Sequence, residues 1–296
     1  MGRTAQIEKM VADHRQFLMF VVNKSKFADP LNAPSGPDDA TLTRLINESI
    51  DEYEAAIREK KKSLTREALF IQHVHRLNPV KYKEEMLQIR GRGAVNTALS
   101  LDRARFVPMV KRQLDTAKKF VRLGPTKDAR KGLVGKYLNF LRLARVSSGM
   151  IVPTLGIDLC WHAHMNHPKK YDKDTTAIVG MLLDHSDEIP EPRLEDRRRA
   201  TRELYERQYG KPYDDVMNLQ VLPKGSSAPA RGSTRTVVGA YAACAVVMPM
   251  FFVAGCGGWG GCAAACGVGA GCGGGCGCDG GCGGGCGGGC GGGCGG

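Results

Sequence analysis

The stretch HVHRLNPVKYKEE at residues 73–85 recurs, with changes, as HAHMNHPKKYDKD at residues 162–174. The two copies lie 89 residues apart, and both fit the pattern H-x-H-x3-P-x2-Y-x2-acid. Five shared residue types at one spacing indicate an internal duplication. We therefore predict two related helix-turn-helix units that pack as a pseudo-symmetric pair.

The proline and the tyrosine of each copy predict the local shape of a unit. Pro79 and Pro168 disfavour helical geometry in the residue before them and suit the first turn of a helix. Each histidine-bearing helix should therefore end there and a new helix begin. Tyr82 and Tyr171 lie one turn inside the new helix, where the ring can pack beneath the histidine turn and the hydroxyl can find a polar partner.

Apolar residues recur at spacings of three and four along most of the chain before residue 210, which is typical of amphipathic helices. The pattern predicts helices at residues 4–27, 38–61, 103–122, 128–146, 156–166, 168–185 and 194–210. Sustained alternation with a period of two is missing from the sequence. We predict an all-α body, residues 1–220, that forms a multi-helix bundle built around the two helix-turn-helix units.

The composition changes after this body. Residues 221–236 read as a linker, residues 237–254 as an apolar segment, and residues 255–296 as a low-complexity tail of glycine and cysteine. Glycine buries too little apolar surface to offset its ordering entropy, so we predict a disordered tail. Eleven of the 12 cysteines lie at positions 244–294, which leaves Cys160 alone in the body.

The apolar segment, residues 237–254, has two interpretations. Its length is at the lower limit for crossing a bilayer, and the basic residues Lys224, Arg231 and Arg235 before it would keep the body in the cytoplasm. In the other interpretation it is a loosely packed, aggregation-prone segment. The N-terminus shows no secretory signal, so we predict a cytoplasmic protein, with membrane association through residues 237–254 as the alternative.

The cysteines of the tail also have several interpretations. Clustered thiolates favour soft ions such as zinc or copper(I), whereas Cys256 and Cys262, just beyond the apolar segment, could be S-acylated. Simple expansion of a repeat, without selected chemistry, is the third interpretation.

The histidines of the duplicated motif are candidate metal ligands. On a helix, residues two apart point in different directions, whereas residues four apart share a face. Asp158 with His162, and Cys160 with His164, are such pairs, and all four side chains can bind metal.

One hypothesis places Asp158 and His162 around a divalent ion such as zinc, together with a histidine from the first copy. That histidine is His73 or His75, and His185 or Asp184 would lie nearby. His164 is a further candidate ligand. The alternative is that these are buried structural histidines bonded to tyrosine, carboxylate and carbonyl groups. Acid/base catalysis is a third interpretation, although the sequence contains no nucleophile elbow, HExxH pattern or phosphate-binding loop.

The formal net charge of +12 lies almost wholly before residue 236 and favours anionic partners such as RNA, acidic lipid or acidic proteins. The basic residues alternate with acidic ones along predicted helices, which is also typical of solvated helix faces. We expect protein partners, and we keep nucleic acid as an alternative.

The segments IDLCWHAHMNHPKKYDKD at residues 157–174, HRLNPVKY at 75–82 and LYERQYGKPY at 204–213 resemble the glycine-rich domain-containing protein-like family. The distinctive pattern D-x-x-W-H-x-H, followed by P-x-x-Y, falls on Asp158, Trp161, His162, His164, Pro168 and Tyr171. The resemblance implies a helical domain with a glycine-rich C-terminal part. It implies no catalytic residue, and plant members of the family are linked to growth, stress responses and RNA.

We rank three hypotheses about the function. The first hypothesis is a non-enzymatic helical protein that acts through binding, with the paired histidine bends at its structural centre. The second is a metal-binding protein or metal-dependent enzyme that uses Asp158 and His162. The third is an RNA-associated protein.

Overall fold

A computed structural model describes residues 2–34, 36–90, 98–187 and 191–213, together with the backbone of two short strands at 217–220 and 234–237. These residues lie within one compact unit that spans Met1–Met248. The predicted glycine/cysteine tail, most of the linker and nearly all of the apolar segment lie outside the described residues.

The body is built from helices joined by short loops. In chain order they are α1 (Arg3–Lys24), α2 (Ala28–Leu31), α3 (Asp39–Arg58), α4 (Arg66–Arg76), α5 (Pro79–Arg90), α6 (Arg103–Leu123), α7 (Lys127–Val146), α8 (Leu155–Met165), α9 (Pro168–Val179) and α10 (Glu191–Tyr209). The predicted all-α class is confirmed for this body.

Helix starts are fixed by short polar side chains that accept a hydrogen bond from a free backbone N–H of the first turn. Five helices begin in this way, with the capping residues Asp38, Thr65, Asp102, Thr126 and Thr154. Helices α5 and α9 instead begin at the motif prolines, as predicted. Proline suits this position because the first turn does not need its missing N–H.

Helix α8 lies at the centre of the core. Every residue from Leu155 to Met165 is buried, and the helix contacts α1, α6, α7 and α9. A helix buried on all sides carries apolar residues all round, yet α8 also carries Asp158, His162 and His164. These polar groups therefore need partners inside the protein.

The two copies of the motif form corresponding helix pairs, α4–α5 and α8–α9. Lys83 of α5 forms an ion pair with Asp172 of α9 at 2.8 Å, and these two residues are 89 positions apart, the offset of the repeat. His73 and His162, which also correspond, have ring centroids 5.8 Å apart. The two copies therefore contact each other at equivalent residues, as packing around a pseudo-twofold axis would require.

One predicted helix is shorter in the structure. The pattern predicts a helix over residues 168–185, but α9 ends at Val179, and Gly180 adopts a left-handed conformation with φ of 101°. Glycine accepts this geometry without a steric penalty, so it ends the helix. The chain then turns back, and His185 is buried against the core at 2% exposure.

A short antiparallel pair follows the helical body. Strand β1 (Met217–Gln220) pairs with β2 (Thr234–Val237), and Met217 lies opposite Val237. β1 lies at the end of the predicted body and β2 mainly in the predicted linker, where the sequence pattern did not predict strands. Across the part of the chain that the structure describes, none of the helices combines the length and apolar character that a bilayer crossing needs. Residues 238–254, nearly all of the proposed span at 237–254, lie outside the described residues, so the span stays a prediction.

Candidate functional site

The two histidines of each motif have different surroundings. The second histidine of each copy, His75 or His164, lies between a tyrosine from the preceding long helix and the acidic residue that ends the motif. The first histidine, His73 or His162, faces its counterpart from the other copy.

His75 is held by groups on both sides of its ring. Its Nδ1 lies 3.0 Å from the Tyr53 hydroxyl of α3, and its Nε2 lies 2.5 Å from Glu85 Oε2 of α5. The Tyr82 ring packs edge-on against it, with centroids 4.9 Å apart. This contact is the predicted packing of the motif tyrosine beneath the histidine turn.

His164 repeats this arrangement in the second copy. Its Nδ1 lies 3.0 Å from the Tyr137 hydroxyl of α7, and its Nε2 lies 3.3 Å from Asp174 Oδ2 of α9. Burial lowers the pKa of His164 to about 4, although Asp174 opposes the shift. His75 and His164 thus each contact a tyrosine hydroxyl and a carboxylate from two other helices, so that each links three helices.

Tyr171 fixes the bend of the second copy. Trp161 Nε1 donates a 2.8 Å hydrogen bond to the Tyr171 hydroxyl, which itself donates to the carbonyl of Leu183 at 2.8 Å. Both aromatic side chains are buried. These bonds hold the segment after α9 against α8 and bring His185 next to His162.

Asp158, His162 and His185 form a buried cluster, which we call the triad. Asp158 Oδ1 lies 3.4 Å from His162 Nε2 and 3.9 Å from His185 Nε2. The two Nε2 atoms lie 3.3 Å apart. Each residue is at most 2% exposed. Asp158 and His162 share a helix face, as predicted, and His185 joins them from the loop after α9.

A second histidine cluster adjoins the triad through His162. His14 of α1 and His73 of α4 have ring centroids 4.8 Å apart. His73 Nδ1 donates to Asn166 Oδ1 at 2.9 Å, and Asn166 Nδ2 donates to His14 Nδ1 at 3.0 Å. His14, His73 and His162 offer ring nitrogens within 4.8 Å of one another. Nothing in the sequence pattern pointed to His14.

Burial determines the protonation of these groups. Burial, reinforced by the nearby His162, lowers the pKa of His73 to about 3. Burial and the neighbouring His73 likewise hold the pKa of His14 well below 6.5. Burial alone would raise the pKa of Asp158, but the neighbouring imidazoles of His162 and His185 hold it well below its usual range. His14 and His73 are therefore neutral, and the carboxylate of Asp158 is ionised.

The predicted metal-ligating residues thus fall into two groups. Asp158 and His162 come together with His185, and His73 lies beside them. His75 and His164 lie in the tyrosine–carboxylate networks, which is the structural role that the alternative interpretation expected. Pro79, Pro168, Trp161 and Tyr171 shape the bends, as the motif predicted.

The sequence model of the family described as Glycine-rich domain-containing protein-like matches residues 41–174, which confirms the resemblance over that region. Glycine-rich domain-containing protein 1 of Arabidopsis thaliana is 36% identical over 59 residues. That match covers 18% of this chain and 7% of the plant protein, so the chain corresponds to a small part of its relative. No solved structure matches the chain. The family match includes Asp158 and His162, whereas His14 and His185 lie outside it.

Proposed function

We propose that this protein, whose residues 41–174 match the glycine-rich domain-containing protein-like family, binds a divalent transition-metal ion. The ligands are Asp158, His162 and His185. Two imidazoles and one carboxylate are a common ligand set for zinc and iron(II) in proteins.

The distances within the triad are the observation that carries the proposal. Bonds of about 2.0–2.2 Å from a tetrahedral zinc ion place neighbouring ligand atoms about 3.3–3.6 Å apart. The three distances here are 3.3, 3.4 and 3.9 Å. An ion could therefore bind with small side-chain movements and keep a fourth position for water or another ligand.

The surroundings of His185 also suit a metal ligand. Its Nδ1 donates to the carbonyl of Leu77 at 3.0 Å, so a neutral His185 ring would present the lone pair of Nε2 to the triad. Metal-binding histidines commonly donate their other N–H to a carbonyl or carboxylate, which fixes the tautomer. Leu77 ends the histidine-bearing helix of the first copy, so the ion would connect both copies.

Charge supports the same proposal. Asp158 is ionised and fully buried, and a buried carboxylate is costly unless a positive charge or hydrogen bonds compensate for it. A divalent ion at the triad would supply that charge. Because all three ligands are buried, we propose that the ion stabilises the fold of a non-enzymatic binding protein.

Metal binding can be measured on the full chain after its accessible thiols are alkylated with N-ethylmaleimide, which removes the thiolate ligands of the tail. Cys160 is buried and lies outside the proposed site. We expect one tightly bound zinc by elemental mass spectrometry, and a tetrahedral visible spectrum with Co²⁺. Asp158→Asn and His185→Gln should each weaken the binding of this ion by at least about tenfold.

Two matched variants serve as controls. Asp172→Asn removes a surface carboxylate that pairs with Lys83, and His167→Gln removes an exposed imidazole outside the triad. Both should keep the tightly bound ion. A folded wild-type chain that binds no zinc or cobalt, or triad variants that bind as tightly as the controls, would contradict the proposal.

A further inference from the structure

A second set of nitrogen ligands lies beside the triad. His14, His73 and His162 come from three different helices, α1, α4 and α8, and each is at most 5% exposed. Their ring nitrogens lie close enough together to hold an ion. This set shares His162 with the triad.

The second set can be reached from outside. A surface pocket of about 170 Å³ is lined by His14, His73 and Asn166, with Asp13 and His167 also contributing. An ion or a water molecule could therefore approach His14 and His73 without unfolding the bundle. Asp13 is exposed and adds a negative charge to this pocket.

The free nitrogen of His162 links the two sets. Its Nε2 faces Asp158 and His185, whereas its Nδ1 is buried and has no hydrogen-bond partner. If an ion bound at Nε2 alone, Nδ1 would keep a buried proton without an acceptor, which is unfavourable. A second ion at Nδ1 would replace that proton. His14 Nε2 is also buried without a hydrogen-bond partner.

We propose that His14, His73 and His162 form a second, weaker site for a divalent ion, so that the imidazole of His162 bridges two ions. The bridge forms when His162 releases its remaining ring proton to solvent. This inference rests on the proposed function, because the first ion occupies the triad.

Asn166 explains why the second site is the weaker one. Its Oδ1 accepts from His73 Nδ1, which leaves the lone pair of His73 Nε2 available. Its Nδ2 donates to His14 Nδ1, however, and so holds the His14 proton on Nε2. His14 can bind an ion only after this hydrogen bond breaks. Repulsion by the first ion, and by Arg76 at the pocket, weakens the site further.

The arrangement predicts a variant that gains affinity. In Asn166→Asp, a carboxylate could accept from Nδ1 of both His14 and His73, and both Nε2 atoms would then be available to an ion. We expect the second ion to bind at least about tenfold more tightly. Gln72→Glu adds the same charge to the same pocket without replacing the amide, and it should have a smaller effect.

The experiment titrates Cu²⁺ into the alkylated full chain and follows stoichiometry by elemental mass spectrometry and coupling by electron paramagnetic resonance. We expect two ions in the wild type, with magnetic coupling through the shared imidazole. His14→Gln should hold one uncoupled ion at the triad. His167→Gln, a matched histidine change in the same pocket, should keep both ions.

The outcomes separate the two proposals. One ion that survives His14→Gln and is lost in His185→Gln would overturn the second site and leave the triad standing. One ion that is lost in His14→Gln and survives His185→Gln would overturn the triad and the bridge. A wild type without bound ions would overturn both proposed sites. If His14→Gln fails to fold, Asn166→Asp decides, because unchanged affinity for a second ion would overturn the second site.

Discussion

At the scale of single residues, the duplicated histidines have diverged in role within each motif. His75 and His164 each bond to a tyrosine hydroxyl from the preceding long helix, at 3.0 Å in both copies. His162 instead faces a carboxylate and another imidazole. Identical spacing in the sequence therefore leads to two kinds of environment, one structural and one suited to an ion.

The structural histidines give a prediction at this scale. Tyr137→Phe removes the hydroxyl that contacts His164 Nδ1 and leaves a buried nitrogen unsatisfied, which costs about 1–3 kcal/mol. Tyr53→Phe should have a similar effect through His75. Chemical denaturation measures both free energies of unfolding. Tyr82→Phe keeps its ring contact with His75 and should change the free energy by less than about 0.5 kcal/mol. Equal values for all three variants would contradict the assigned roles.

At the scale of secondary-structure elements, the end of α9 determines whether the triad can form. His185 lies six positions after Val179, and continued helix would carry His185 along the α9 axis instead of back towards α8. Gly180 permits the left-handed turn that prevents this. The bonds from Trp161 to Tyr171 and from Tyr171 to Leu183 then fix the returning segment.

We therefore expect Gly180→Ala to affect both stability and ion binding. A side chain at φ of 101° is strained, so the free energy of unfolding should fall by about 1 kcal/mol or more. Affinity for the first ion should also fall, because His185 follows this turn. Gly132 lies in α7, exposed and with open space where a Cβ would lie, and Gly132→Ala should stabilise the protein by about 0.5–1 kcal/mol. Thermal unfolding and Co²⁺ titration test both variants.

At the scale of the whole molecule, the bundle buries several neutral imidazoles. The pKa of His73 is lowered to about 3 and that of His164 to about 4, and the pKa of His14 is also lowered, all mainly by burial. The unfolded chain, in which histidine titrates near 6.5, takes up these protons at higher pH than the folded protein does. Above about pH 6.5 these neutral, buried histidines therefore make their full contribution to the free energy of unfolding.

The metal-free protein should accordingly lose stability as the pH falls from about 6.5 towards 4. Each such histidine contributes up to about 1.4 kcal/mol per pH unit to the slope. Urea unfolding at a series of pH values, with a chelator present, measures this dependence. His73→Gln should reduce the slope of the free energy of unfolding against pH by the contribution of one histidine, up to about 1.4 kcal/mol per pH unit. A free energy of unfolding that stays constant between pH 7 and 5 would show that these imidazoles are not buried in the neutral form.

The sequence by itself determined the duplication, the helical class, the bends at Pro79 and Pro168, and the pairing of Asp158 with His162. These features follow from spacings within one helix or one turn, where backbone geometry fixes which side chains are neighbours. The sequence named His185 as a possible neighbour of this pair, but only the tertiary structure decided that His185 and His14 join the cluster and that His75 and His164 do not. Those contacts join residues far apart in the chain and depend on how helices pack and where the turn at Gly180 directs the chain, which no local spacing encodes.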